Sequence, residues 1–176
     1  MKTAPLPKQL DLRGLAARGA KVAGTVASED LPRLAEAGIR LVAPAQVTFQ
    51  LSKDEAARAV VDARISATAI LQCQRCLQDM EWPLATSTLM ACVWTDEEAA
   101  ALPAPYEPLL VEDDAVLRDI AEEELLLALP AFPLHDSDCK TLEQTEALAM
   151  SEEIKSALSD SAEKQSPFGV LEQLKN

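Results

Sequence analysis

Cys73 and Cys76, in Leu71-Gln-Cys-Gln-Arg-Cys-Leu77, are the residues whose types and spacing most plainly suit chemistry. A Cys-x-x-Cys turn can hold a metal between two thiolates, cycle between dithiol and disulfide, or simply pack. The single histidine lies downstream in His135-x-x-x-Cys139. Cys73, Cys76, His135 and Cys139 together offer three thiolates and one imidazole. Zinc takes that donor set in a closed tetrahedral site, because it accepts four sulfur or nitrogen ligands without geometric preference from its d electrons. The two pairs are separated by 58 residues, Leu77 to Leu134, much further than in a compact finger. A metal centre therefore requires the fold to bring the pairs together. The competing chemistry is redox, with Arg75 favouring a thiolate. A thioredoxin-like motif, however, opens a helix after a strand, and this one falls between two alternating apolar runs. The fourth cysteine, Cys92, reads as a core thiol.

Other chemistries find little support. There is no Gly-x-Ser-x-Gly elbow, and one histidine serves the whole chain. Five glycines provide no phosphate-cradling loop. The acidic groups Glu112-Asp-Asp114 and Asp119–Glu124 lack the ordered spacing of a calcium loop and read as solvated faces. Aromatic residues make up only 3% of the chain, too few for an extended base-stacking platform.

The elements that must position the cysteines follow from hydrophobic periodicity. Lys21–Ala27 reads as a short strand, and Ser28 opens a helix reaching about Ala37, before Gly38. Leu41, Ala43, Ala45, Val47, Phe49 and Leu51 alternate with polar residues, the period of a half-buried strand over Arg40–Leu51. Val61, Ala63, Ile65, Ala67, Ala69, Leu71 and Cys73 repeat the pattern over Ala59–Cys73. Met80, Trp82, Leu84, Met90, Cys92 and Trp94 give a third run, in which Pro83 suits an edge position. Three or four antiparallel strands are predicted, with the cysteine turn as a hairpin between the last two. Thr95-Asp-Glu-Glu opens a short helix, and Leu109–Val111 is a short strand. Val116–Leu129 is the best helix, ended by Pro130, with Val116, Leu117, Ile120, Ala121, Leu127 and Ala128 on one face. Glu124 falls within that face, so it must be paired or sit at an opening.

These elements predict an α+β fold: an antiparallel β-sheet or partial barrel with short flanking helices and an acidic, partly mobile C-terminal region. Residues 1–139 form a single domain. Residues 140–166 form an acidic, mobile segment, and residues 167–176 a short C-terminal docking helix carrying Phe168, Val170, Leu171 and Leu174.

Net charge is −13 over 176 residues, which argues against generic nucleic-acid binding. The charge is uneven, however. Residues 1–75 hold 11 Lys+Arg against 7 Asp+Glu, a net of +4, and residues 76–176 hold 5 against 22, a net of −17. The chain can thus offer a basic and an acidic surface to two partners. The prolines of the first residues break any secretory h-region, and no run approaches the roughly 18 apolar residues of a membrane span. A cytoplasmic protein without membrane contact is expected.

One family matches the order of these pieces. Leu71-Gln-Cys-Gln-Arg-Cys-Leu77 is followed by Ala101-Leu-Pro-Ala-Pro-Tyr-Glu-Pro108 and Ile120-Ala-Glu-Glu-Glu-Leu-Leu-Leu-Ala-Leu-Pro130. Pro133-Leu-His-Asp-Ser-Asp-Cys139 and Pro167-Phe-Gly-Val-Leu-Glu-Gln-Leu-Lys175 come after. In this order and spacing the chain resembles the bacterial YceD proteins, the large ribosomal RNA subunit accumulation proteins, over nearly its whole length. The resemblance implies a non-enzymatic factor in large-subunit ribosome biogenesis that supports synthesis, processing or stability of 23S rRNA. Other branches of that family carry a cysteine where His135 stands, which fits a split zinc site. The implied partners are a ribosomal protein or large-subunit assembly factor, and rRNA or its precursor. Glu122, Glu123 and Glu124 are the expected contacts for a basic protein. Arg13, Arg18 and Arg33 are expected to face RNA, since phosphate neutralisation needs cations. A zinc-thiol redox sensor regulating translation is the alternative from another class.

Overall fold

In the computed structural model, residues 4–111, 115–140, 146 and 150 are described. The contact boundary along the chain falls between Leu134 and His135. Unit one, up to Leu134, contains all the strands found among the described residues. They are β1 (Gln9–Leu10), β2 (Lys21–Val26), β3 (Arg40–Leu41), β4 (Ala45–Lys53), β5 (Ala59–Gln72), β6 (Asp79–Val93), β7 (Glu107–Leu110) and β8 (Ala115–Val116). Its helices are α1 (Leu12–Ala17), α2 (Pro32–Glu36), α3 (Asp96–Ala100) and α4 (Leu117–Leu127). In the second unit, residues 135–140 follow an irregular path of bends, and Glu146 and Met150 are helical and exposed. The expected acidic segment 140–166 otherwise lies outside the described residues, as does the expected docking helix 167–176.

The architecture is α+β, as the periodicity predicts. Six strands form one sheet in the order β2-β4-β5-β6-β7, with β3 also on β5. The meander β2-β4-β5-β6 is antiparallel, but β7 joins β6 in parallel, Met90 opposite Glu107. Strand alternation cannot foresee that pairing, because it reports which face is buried and not which way a neighbour runs. β1 and β8 make a separate two-stranded ribbon.

The expected strand 40–51 is divided. Pro44 has no N–H to continue a ladder, so the chain breaks after β3 and resumes as β4. Both pieces pair with β5, β3 at Ile70 and Ala69, β4 from Ser66 to Ala59. Val42 N donates to Thr68 O at 2.9 Å, so Thr68 turns its backbone polar groups toward β3. Its partner Pro83 on β6 therefore occupies a non-hydrogen-bonded position, with its ring nitrogen toward the free edge. That edge exists because β7 pairs only with Met90–Val93.

The core lies on one face of the sheet. Val47, Phe49 and Leu51 of β4, Val61, Ala63 and Ile65 of β5, and Leu84 and Met90 of β6 are buried together. α1 covers β4 and β5, and α4 covers β5 and β6. The buried side of α4 is Leu117, Ile120, Ala121, Glu122, Glu124 and Leu125. Leu127, expected in the core, is 69% exposed. The reason is α2, which packs on the Glu122 flank and widens the covered arc on that side, leaving the opposite flank in water.

The entry segment closes the β2 edge. Thr25 N donates to Ala4 O at 3.0 Å, and Leu6 N donates to Thr25 O at 2.9 Å. Gly24 permits this approach, since a Cβ there would stand 2.8 Å from the Leu6 backbone. No rotamer change can relieve a backbone clash. Gly24→Ala is expected to detach Ala4–Leu6 and cost about 1–3 kcal/mol, the usual range for overpacking. Loss of amide-exchange protection at Leu6 and Thr25, with a lowered denaturation midpoint, checks it.

Candidate metal centre

The long antiparallel pair β5 and β6 ends at Gln72 opposite Asp79, and the six residues between them form the cysteine turn. Cys73 N donates to Gln78 O and Leu77 N to Cys73 O, both at 2.9 Å. Leu77 takes a left-handed backbone with φ of 62°, which curls the turn around its sulfurs. The Arg75 N–H points at Cys73 Sγ, 3.5 Å away. Such a donor stabilises charge on a thiolate sulfur. Cys73 is fully buried and Cys76 nearly so.

The loop after α4 returns to this turn. Gln74 N donates to Pro133 O at 2.9 Å, so the chain reaches His135 beside the knuckle. The ligand atoms of Cys73, Cys76, His135 and Cys139 lie within 4.8 Å of one another. Tetrahedral zinc with bonds of about 2.3 Å places its sulfurs about 3.8 Å apart, so this group is within small adjustments of a closed site. All four expected ligands are thus brought together across 58 intervening residues, Leu77 to Leu134. Cys92 stands apart in the core, where burial pushes its thiol up to about 11. A cleft of about 460 Å³ opens beside the turn, lined by Arg40, Ile70, Gln74, Asp79 and Pro133 among others.

The residues expected to meet partners are placed differently from one another. Glu122 and Glu124 are each 3% exposed. Glu122 Oε1 accepts from Leu34 N at 3.1 Å. Leu34 is the third residue of α2, and neither the Leu31 N-cap nor Pro32 offers that helix a side-chain cap. Glu122 therefore caps α2 from α4, satisfying a donor that the first turn of a helix leaves without a partner. Glu124 accepts from the Thr88 hydroxyl of β6. Glu123, between them, is exposed and pairs with Arg33. That contact raises the Arg33 guanidinium above its usual value. Arg18 is exposed at the end of α1. Arg13 has its guanidinium carbon over Trp94, 3.3 Å from the ring centroid, a contact between residues 81 positions apart with no local sequence signal. Trp94, expected on the core face, is 37% exposed.

Residues 61–175 match the family described as large ribosomal RNA subunit accumulation protein YceD. The chain belongs to the YceD family. The matched span begins in β5 and includes all four candidate ligands. A YceD relative from Haemophilus influenzae, named large ribosomal RNA subunit accumulation protein, is 30% identical over 178 residues, covering 99% of each chain. No solved structure matches the chain. Among the described residues no helix is long and apolar enough to cross a membrane.

Proposed function

We propose that this chain is a non-catalytic, cytoplasmic factor that supports 23S rRNA synthesis, processing or stability during large-subunit assembly. The observation that carries this reading is the full-length similarity to a protein named for large ribosomal RNA subunit accumulation. Cys73, Cys76, His135 and Cys139 hold zinc, which neutralises the thiolates and ties the β5–β6 hairpin to the segment after α4. Zinc here supplies cross-linking and no reaction step. The exposed charges, Glu123 on α4 and Arg13, Arg18 and Arg33 on the earlier elements, meet a ribosomal protein or assembly factor and rRNA or its precursor.

Depleting the protein in its host and measuring the ratio of 23S to 16S rRNA tests the reading. The ratio is expected to fall at least twofold and to recover with the wild-type chain. An unchanged ratio under full depletion would sink it. A zinc-thiol sensor regulating translation is favoured only by the closeness of the Cys73 and Cys76 sulfurs. It predicts a disulfide formed by peroxide that changes partner binding. The zero exposure of Cys73 disfavours it, because an oxidant must reach the thiolate.

A further inference from the structure

A cationic notch lies away from the cysteines, between the end of β4 and the end of β6. It is about 360 Å³, and its charged lining is Arg13, Lys53 and Arg58, with Trp94 as its aromatic wall. No carboxylate lines it, in a chain of net charge −13. Two of the three cations are held over aromatic rings, Arg13 on Trp94 at 3.3 Å and Arg58 on Tyr106 at 5.4 Å from the centroids. Two neighbouring acids are already hydrogen-bonded, Asp54 to a cation of the notch itself and Glu98 to the backbone. Asp54 Oδ2 accepts from Arg58 Nε at 2.7 Å, which leaves the terminal amino groups of that guanidinium for another acceptor. Burial raises the Asp54 carboxyl, but its hydrogen bonds and charge contact with Arg58 outweigh that and hold it below its ordinary value. Glu98 Oε2 accepts from Trp94 N at 2.8 Å. Among the described residues, neither Arg13 nor Lys53 is in an ion pair with a carboxylate.

We propose that this notch binds single-stranded RNA, holding backbone phosphates on Arg13, Lys53 and Arg58 while a base stacks on the Arg13–Trp94 pair. The choice of RNA over another polyanion rests on the rRNA reading above. Cations give the phosphate contact, and a guanidinium already held over an indole offers a base a stacking partner. The notch takes one base with the two or three phosphates that flank it, because a pocket of several hundred Å³ accommodates small ligands and the acidic surface beyond it repels a longer polyanion. Binding is therefore weak and salt-sensitive, with two or three phosphate contacts and a log–log salt slope of about −1.4 to −2.1.

The full-length chain carrying Trp82→Phe makes Trp94 the sole tryptophan. Titration with a mixed-sequence 12-nucleotide single-stranded RNA at low salt should quench it saturably. Arg13→Gln with Lys53→Gln should weaken binding at least tenfold and flatten the salt slope by about 1.4. Lys53→Gln alone leaves the Arg13–Trp94 stack untouched, and should flatten the slope by about 0.7. Unchanged affinity and slope in both variants would overturn the proposal. So would polyglutamate binding as tightly as RNA with the same sensitivity to the variants, which would assign the notch to an acidic protein. The titration judges the notch by itself, whereas the depletion measurement judges the rRNA reading, so either can fail separately.

Discussion

Cys76→Ser is expected to lower bound zinc from about one ion per chain to near zero and to drop the thermal midpoint by roughly 10 °C. The first number follows from the donor set. Cys73, Cys76, His135 and Cys139 offer one ligand atom each within 4.8 Å, and a three-ligand remnant loses the closed tetrahedron. The second follows from linkage. A metal present at a thousand times its dissociation constant stabilises the folded state by about 4 kcal/mol, and each kcal/mol is about 2–4 °C in a chain of this size. Sequence separation adds to the effect, because the cross-link joins segments far apart in the chain. Elemental analysis of protein purified without chelator, with thermal unfolding before and after chelator, checks both. The chelated wild type should melt with the untreated variant. Acidification should act as chelator does, since thiolate and imidazole bind the metal only when deprotonated. Cys92→Ser is the control, for Cys92 is as buried as Cys76 but outside the cluster, so zinc content should not change. A wild-type protein without zinc, melting where Cys76→Ser melts, would exclude the metal staple.

Replacing the two buried glutamates of α4 is expected to cost more than any change to its exposed charges. Glu122→Ala leaves the Leu34 N–H buried without an acceptor, and removes the side-chain cap that α4 gives α2. Glu124→Ala removes the acceptor of Thr88 beneath the helix. Each loss is worth about 1–3 kcal/mol. The two carboxylates contact different elements, α2 and β6, so the double variant should lose about 2–6 kcal/mol. That is a large share of the roughly 5–15 kcal/mol that holds a typical domain. Glu123→Ala is the comparison. Its ion pair with Arg33 joins two half-exposed side chains and is worth about 0–1 kcal/mol. Glu122→Gln keeps an acceptor oxygen and should recover most of the loss. Urea unfolding midpoints rank the five variants. If Glu122→Ala proves as mild as Glu123→Ala, the cap contributes nothing measurable.

These two sites differ in how far they could be read from the residues. The metal donors were legible by type: three cysteines and the single histidine form the one set that suits zinc, and the alternation of Val61 to Cys73 and of Met80 to Trp94 locates a turn at Cys73–Gln78. The Glu124 anomaly was legible too, as a carboxylate on an apolar stripe. Its partner was not, because Thr88 lies 36 residues away and carries no pattern of its own. The role of Glu122 was hidden for a further reason. It faces away from the main stripe of α4, and is buried only because α2 packs there.

The chain's local chemistry by itself determined the strands β4, β5 and β6, the helix α4 ended by Pro130, the hairpin position of Cys73 and Cys76, and the uneven charge. All of these depend on residue period, turn chemistry or composition, which are properties of neighbouring residues. The tertiary structure alone decided the parallel joining of β7, the pairing of both β3 and β4 with β5, the capping of α2 by Glu122 and the placing of Arg13 over Trp94. It also placed His135 and Cys139 beside the cysteine turn. Each of these unites groups distant in the chain, and such contacts are set by which surfaces the whole core must cover.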